Sequence, residues 1–142
     1  MESFLSLEVI WKDIHMIEFR AIASNSRYMG TTEFYCNIEL EELIIFGQNI
    51  TMLPNDIEEV VFNSGGSLED SNFSISLRQY ELTGKIECLI RMTENLSHVI
   101  GKNSADKISM SFISEPASID NFAREFFDLL ENKNGKSILV GN

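Results

Sequence analysis

Apolar and polar residues alternate along much of this chain, which is the period-two pattern of β-strands with one buried face. In the first run every second residue from Leu5 to Trp11 is apolar, so Trp11 is predicted to share a face with the leucines. Further strand-like runs cover residues 14–23, 28–36, 60–62, 73–78, 86–92 and 108–112. Asp13 and the run from Ser24 to Ser26 are predicted turns. Because the links between consecutive runs are mostly short, the strands are predicted to pair antiparallel.

Two segments change to the helical period. The first apolar stripe consists of Leu40, Leu43, Ile44, Gly47 and Ile50. Asn37 is predicted to cap this helix and Pro54 to end it. The second stripe consists of Ile119, Phe122, Ala123, Phe126 and Leu130. Pro116 precedes the second helix, Ser118 is predicted to cap it, and Gly135 is predicted to stop it.

The order of these elements predicts an α+β fold. We expect a mostly antiparallel sheet of about six or seven strands, with the two amphipathic helices packed on one face. Two β-β-β-α halves are one interpretation of this order, since a strand leads through polar residues into a helix in both halves. Residues 1–135 are predicted to form a single domain, and residues 136–142 a tail that either frays or pairs along a sheet edge.

Composition supports a globular domain and excludes several classes of partner. The chain has 142 residues, of which 44% are hydrophobic and 23% are charged, and its formal net charge is -11. A surface this acidic repels phosphate backbones and anionic lipids, so nucleic acid and membranes are not expected as partners. Apolar runs are too short to span a bilayer, and the N-terminus does not resemble a secretory signal. We therefore expect a soluble, intracellular, cytoplasmic protein.

The negative charge is concentrated in the first half of the sequence. Residues 1–71 contain thirteen acidic and three basic residues, whereas residues 72–142 contain nine acidic and eight basic ones. No Lys or Arg occurs between Arg27 and Arg78. This stretch predicts either a solvated face that keeps the protein soluble or a docking surface for a basic partner.

Catalytic motifs are lacking in the sequence. His15 lies in a strand-like run and is predicted to be structural, while His98 is predicted to be exposed in a polar connection. Cys36 and Cys88 match no metal or redox spacing and are predicted to be buried free thiols. Adjacent carboxylates on a helix point about 100° apart, so the acidic doublets do not converge on one substrate atom or metal ion. We expect neither an enzyme nor a bound cofactor or metal.

The outer face of the first helix has an unusual composition, because the apolar Ile45 lies among acidic and amide side chains. It is either covered by the segment 55–70 or another layer, or it is an exposed anchor with a polar rim, as in interaction hot spots. On the second interpretation, the predicted partner-binding residues are Glu39, Glu41, Glu42, Ile45, Gln48, Asn49, Asp56, Glu58 and Glu59.

Several segments resemble those of a known family. They are Leu7-Glu8-Val9, Thr32-Glu33-Phe34-Tyr35, Ile38-Glu39-Leu40-Glu41-Glu42-Leu43, Phe73-Ser74-Ile75-Ser76-Leu77 with Gly84-Lys85-Ile86, and Ile119-Asp120-Asn121-Phe122. In these segments, and in the order of elements across most of residues 5–131, the chain resembles the WapI-like immunity proteins. The resemblance implies a small acidic antitoxin that protects a bacterium from a toxin, often a nuclease. It implies a basic protein toxin as partner and fixes no binding residues.

Two other functions remain open. One is a small-molecule-binding domain with a pocket between the sheet and the helices. Its predicted lining consists of Phe19, Phe73, Phe112, Phe122 and Phe126. The other is a structural or adaptor domain in which the charge has no specific role. Homo-oligomerisation through a sheet edge is compatible with all three functions.

Overall fold

A computed structural model describes residues 2–53, 55–65, 71–82, 84–95 and 105–142, which form eight strands and two helices. The strands are β1 (Ser3–Lys12), β2 (Met16–Asn25), β3 (Met29–Asn37), β4 (Glu59–Asn63), β5 (Phe73–Gln79), β6 (Ile86–Asn95), β7 (Ala105–Ser114) and β8 (Lys136–Val140). The helices are α1 (Glu41–Ile50) and α2 (Pro116–Asn132). In the described part of the chain, no helix is long and apolar enough to cross a membrane.

The strands form two four-stranded antiparallel sheets, so the predicted α+β fold, mostly sheet, is confirmed. Sheet 1 has the order β3-β2-β1-β8, and sheet 2 has the order β4-β5-β6-β7. The eighth strand comes from the predicted tail, because β8 pairs antiparallel with β1 at the edge of sheet 1. Each block of consecutive strands is followed by a helix, but the second block has four strands, so the halves are not equal β-β-β-α units.

Phenylalanine rings join the two sheets. Phe34 on β3 stacks against Phe19 on β2, with ring centroids 5.2 Å apart, and against Phe73 on β5, at 4.9 Å. Phe46 on α1 contacts Phe62 on β4, with ring centroids 5.9 Å apart. Burying rings of this size is a large stabilising contribution. The alternation that predicted the strands is therefore the pattern of side chains that fill the space between the sheets.

The start of α1 differs from the prediction. The cap residue is Leu40, which is buried and has a left-handed backbone with φ of 57°, and Asn37 makes no side-chain cap. Asn37 is instead the last residue of β3, paired with Met16 of β2, and its carbonyl accepts a hydrogen bond from the amide of Leu40. Ile44 is also more exposed than predicted, because Phe46 occupies the buried stripe.

The start of α2 also differs, whereas its apolar stripe is confirmed. The helix begins at Pro116, with Glu115 as the cap residue, so Ser118 lies inside the first turn. Proline suits the first helical position because that position's amide has no intrahelical acceptor. The helix ends at Asn132, before a left-handed Lys133, and Gly135 follows with φ of 97°.

Two predicted turns are confirmed by their hydrogen bonds. Asp13 Oδ1 accepts hydrogen bonds from the amides of Met16 and His15, at 2.8 and 2.7 Å, and these bonds lower the pKa of Asp13. Asn25 plays the same part between β2 and β3. His15 therefore lies exposed in a turn and not in a strand. The predictions for Pro54 and His98 fall outside the described residues.

Candidate functional site

A cavity of about 300 Å3 opens where β3 leads into α1, and its rim is acidic. Glu39, Glu41 and Glu42 line it, together with Tyr35 on β3 and Phe62 on β4. All three glutamates are exposed, Glu39 in the turn before the helix and the other two in its first turn. We call these three glutamates and their cavity the acidic end. It brings together three of the nine predicted partner-binding residues.

The three carboxylates of the acidic end have no cationic partner among the described residues. There, the Lys and Arg side chains within 4 Å of a carboxylate are Arg20, which is 3.4 Å from Glu33, and Arg78, which is 2.5 Å from Glu87. The N-terminus of a helix carries a partial positive charge that stabilises a nearby acid by about 0.3–1 kcal/mol. The geometry of α1 therefore reduces the cost of leaving Glu41 and Glu42 unpaired.

The outer face of α1 continues from the acidic end with an apolar residue. Ile45 is 56% exposed and lies one turn beyond Glu41 and Glu42. Gln48 is exposed on the next turn, and Asn49 is partly buried. The exposure of Ile45 agrees with an anchor surrounded by polar groups.

Asp56, Glu58 and Glu59 lie away from the acidic end. The helix is about 15 Å long, and the first two of these acids follow its C-terminal end. The carboxylate of Glu59 accepts a hydrogen bond from Ser76 Oγ at 3.2 Å on the outer face of sheet 2. Arg78 on β5 is the strand partner of Glu59, and Arg91 on β6 lines a cavity of about 240 Å3 together with Glu59. The structure thus divides the predicted site into separate surfaces.

An exposed aromatic pair lies beside the acidic end on the outer face of sheet 1. Trp11 and Tyr35 are 47% and 55% exposed, and their ring centroids are 6.4 Å apart with planes at 78°. Trp11 is outside because β1 contains a bulge: Val9 pairs with Phe19, but Trp11 pairs with Glu18. The predicted placement of Trp11 with the leucines is therefore wrong, because alternation alone does not reveal an extra residue.

Comparison with protein-family models and with curated proteins finds no match for this chain.

The phenylalanines of the predicted small-molecule pocket are core residues. Phe19, Phe73, Phe122 and Phe126 have no exposed surface, and Phe112 is also buried. Phe122 stacks on Phe126 with ring centroids 5.6 Å apart. These side chains fill the interior with one another.

Both cysteine thiols have raised pKa values. Burial raises the pKa of Cys36 to about 12, with a further contribution from the charge of Glu42. Burial, followed by the charge of Glu87, also raises the pKa of Cys88. The described residues contain no group of three potential metal ligands.

A second cavity, of about 410 Å3, is lined by basic side chains. Arg27 and Lys85 line it, together with the exposed Tyr80. It lies where β2 meets β3 through the Asn25 turn, whereas the acidic end lies where β2 begins. A ten-residue strand spans about 30 Å, so the two cavities lie near opposite ends of the molecule's first sheet.

Proposed function

We propose that this chain is a non-catalytic interaction protein that binds and neutralises a basic, nuclease-like toxin, as an immunity protein does. The supporting observation is the acidic end, where Glu39, Glu41 and Glu42 line one cavity and have no cationic partners in the described chain. The resemblance to the WapI-like immunity proteins motivates the choice of a toxin as the partner.

Electrostatic complementarity gives this surface a physical role. A nuclease must attract a phosphate backbone, so its substrate groove carries Lys and Arg. A protein that covers such a groove needs opposite charges at its contact surface, and these charges accelerate association. Ile45 next to the acidic end supplies an apolar group that a partner would desolvate, which slows dissociation.

The test uses the toxin domain that the proposal expects to be encoded next to this gene. The variant Glu39→Lys, Glu41→Lys, Glu42→Lys reverses the acidic end. The control variant changes the net charge by the same amount, but at residues away from the acidic end: Asp56→Lys, Glu58→Lys, Glu59→Lys. Each close charge pair contributes about 1.5–7 kcal/mol, and the loss of two pairs at the lower value already weakens binding about 100-fold, so the first variant should bind the toxin domain at least about 100-fold more weakly. Titration calorimetry measures both affinities, and circular dichroism checks that both variants fold.

The control separates a specific surface from a general charge effect. It should retain affinity within about tenfold, because rim and distant charges contribute little at physiological salt. Equal weakening of both triple variants would show that only net charge matters. An unchanged affinity of the first variant would contradict the proposed surface, and a neighbouring domain that neither binds nor is inhibited would contradict the function.

A further inference from the structure

Three strands place an aromatic residue on each side of a carboxylate. Trp11 on β1 pairs with Glu18 on β2, and Glu18 pairs with Tyr35 on β3. Residues that pair directly across antiparallel strands share a face of the sheet, so the three side chains form one row. Phe19 is fully buried on the opposite face, so this row lies on the outer surface of sheet 1. We call it the Trp11–Glu18–Tyr35 row.

We propose that the Trp11–Glu18–Tyr35 row binds an arginine side chain of a basic protein partner. The inference rests on the proposed function, and it adds a contact that lies outside the predicted partner-binding residues. An arginine would place its guanidinium plane against an aromatic ring and direct its N–H groups to Glu18.

The chemistry of the row favours arginine over lysine. A guanidinium group is planar, stacks on aromatic faces and donates two parallel hydrogen bonds to a carboxylate, whereas an ammonium group is a compact, strongly hydrated charge. The planes of the Trp11 and Tyr35 rings are nearly perpendicular. The faces of the two rings therefore point in different directions. Glu18 raises the pKa of Tyr35, first through hydrogen bonding and then through its negative charge. A carboxylate has about four acceptor positions, so Glu18 keeps capacity for a ligand.

The described residues leave the charge of Glu18 uncompensated by an ion pair. No described Lys or Arg nitrogen lies within 4 Å of its carboxylate. Arg20, two positions along β2, is 3.4 Å from Glu33 on β3. Lys12 is directed elsewhere, because its Nζ donates to the carbonyl of Lys133 after α2. A cation from a partner would therefore complete the row without displacing one of these contacts.

The row is continuous with the acidic end. Tyr35 belongs to the row and also lines the acidic cavity with Glu39, Glu41 and Glu42. Ile14, in the turn between β1 and β2, is 82% exposed nearby and adds apolar surface. A basic partner segment can therefore place one arginine on the row and further cations at the acidic end.

Trp11 makes the test direct, because it is the only tryptophan in the chain. The full chain is titrated with a hexa-arginine peptide and, separately, with a hexa-lysine peptide, while tryptophan fluorescence is recorded at low ionic strength. Hexa-arginine should change the emission of Trp11 and bind about tenfold more tightly than hexa-lysine. Glu18→Gln keeps the size of the side chain and should weaken hexa-arginine binding about tenfold.

Tyr80→Ala is a control for an exposed tyrosine outside the row, because Tyr80 is as exposed as Tyr35 but lies in the cavity with Arg27 and Lys85. It should leave the titration unchanged. Equal affinities for the two peptides, an unchanged emission of Trp11, or normal binding by Glu18→Gln would each overturn the inference. None of these outcomes affects the toxin titration with the acidic-end variants, so failure of this inference is distinguishable from failure of the proposed function.

Discussion

Burial determines the chemistry of the two cysteines. Cys88 on β6 has no exposed surface, and Cys36 on β3 is half-buried beside the acidic cavity. Both thiols have raised pKa values, that of Cys36 to about 12, because burial disfavours the thiolate. The thiolate is the reactive form, so at neutral pH both residues behave as small apolar side chains.

This protection is measurable with a thiol reagent. At pH 8 a pKa of about 12 leaves roughly one Cys36 thiol in ten thousand ionised, against about a quarter for an ordinary cysteine. Both thiols of the folded protein should therefore react with Ellman's reagent at least about 100-fold more slowly than free cysteine. In concentrated guanidinium chloride both should react at once. Cys36→Ala and Cys88→Ala assign the signal, and a folded-state thiol that reacts as fast as free cysteine would contradict this account.

Single residues also mark where sequence reasoning fails. The alternation from Leu5 onward correctly predicts which residues of β1 face the core, up to Val9. The bulge then reverses the direction of Trp11, and no feature of the hydrophobic pattern marks it. For this reason the sequence did not predict the exposed aromatic pair of Trp11 and Tyr35. By contrast, an exposed Ile45 was one of the two alternatives that its polar neighbours suggested.

At the scale of elements, close packing of α1 on α2 determines which side of α1 faces solvent. A Cβ added at Gly47 would lie 3.2 Å from Cδ2 of Phe126 and 3.3 Å from Cε1 of Phe127. The helix therefore approaches α2 through a residue without a side chain. With that side fixed, Ile45 is left on the solvent side.

Gly47→Leu should destabilise the protein by about 1–3 kcal/mol, because extra methylene groups in a packed seam force neighbouring side chains to move. Ile45→Ala in the same helix removes an exposed side chain and should change the free energy of unfolding by less than about 0.5 kcal/mol. Urea denaturation followed by circular dichroism compares the two variants. A Gly47→Leu protein as stable as wild type would show that α1 and α2 do not meet at this residue.

The helical stripes and strand runs were largely predictable, but the helix boundaries were not. Pairing between β2 and β3 extends through Asn37, and this backbone pairing makes the residue part of a strand despite its preference for helix caps. The eighth strand could not be assigned for a similar reason. The C-terminal segment becomes a strand only because it forms hydrogen bonds with β1 at the edge of sheet 1. Tertiary pairing, which local patterns do not contain, decides such cases.

Across the whole molecule, charge is separated along the first sheet. The acidic end lies where β2 begins, and the cavity with Arg27 and Lys85 lies about 30 Å away where β2 ends. The stretch without Lys or Arg, between Arg27 and Arg78, predicted an acidic surface. It could not show that the acidic residues of this stretch lie on separate surfaces of the folded protein. A ten-residue helix and the strand after it carry Glu59 to the outer face of sheet 2, among arginines.

This separation of charge can be mapped with paired nitroxide probes that differ only in carrying a positive or a negative charge. Their paramagnetic enhancement of amide-proton relaxation reports the local potential, and at about 0.15 M salt the Debye length of about 8 Å keeps the two ends independent. Amides of Tyr35 and Glu39 to Glu42 should relax at least about twofold faster with the cationic probe than with the anionic one. Amides around Arg27 and Lys85 should relax faster with the anionic probe. The same ratio at both ends would contradict the existence of an acidic end and remove the basis for recognition of a basic partner there.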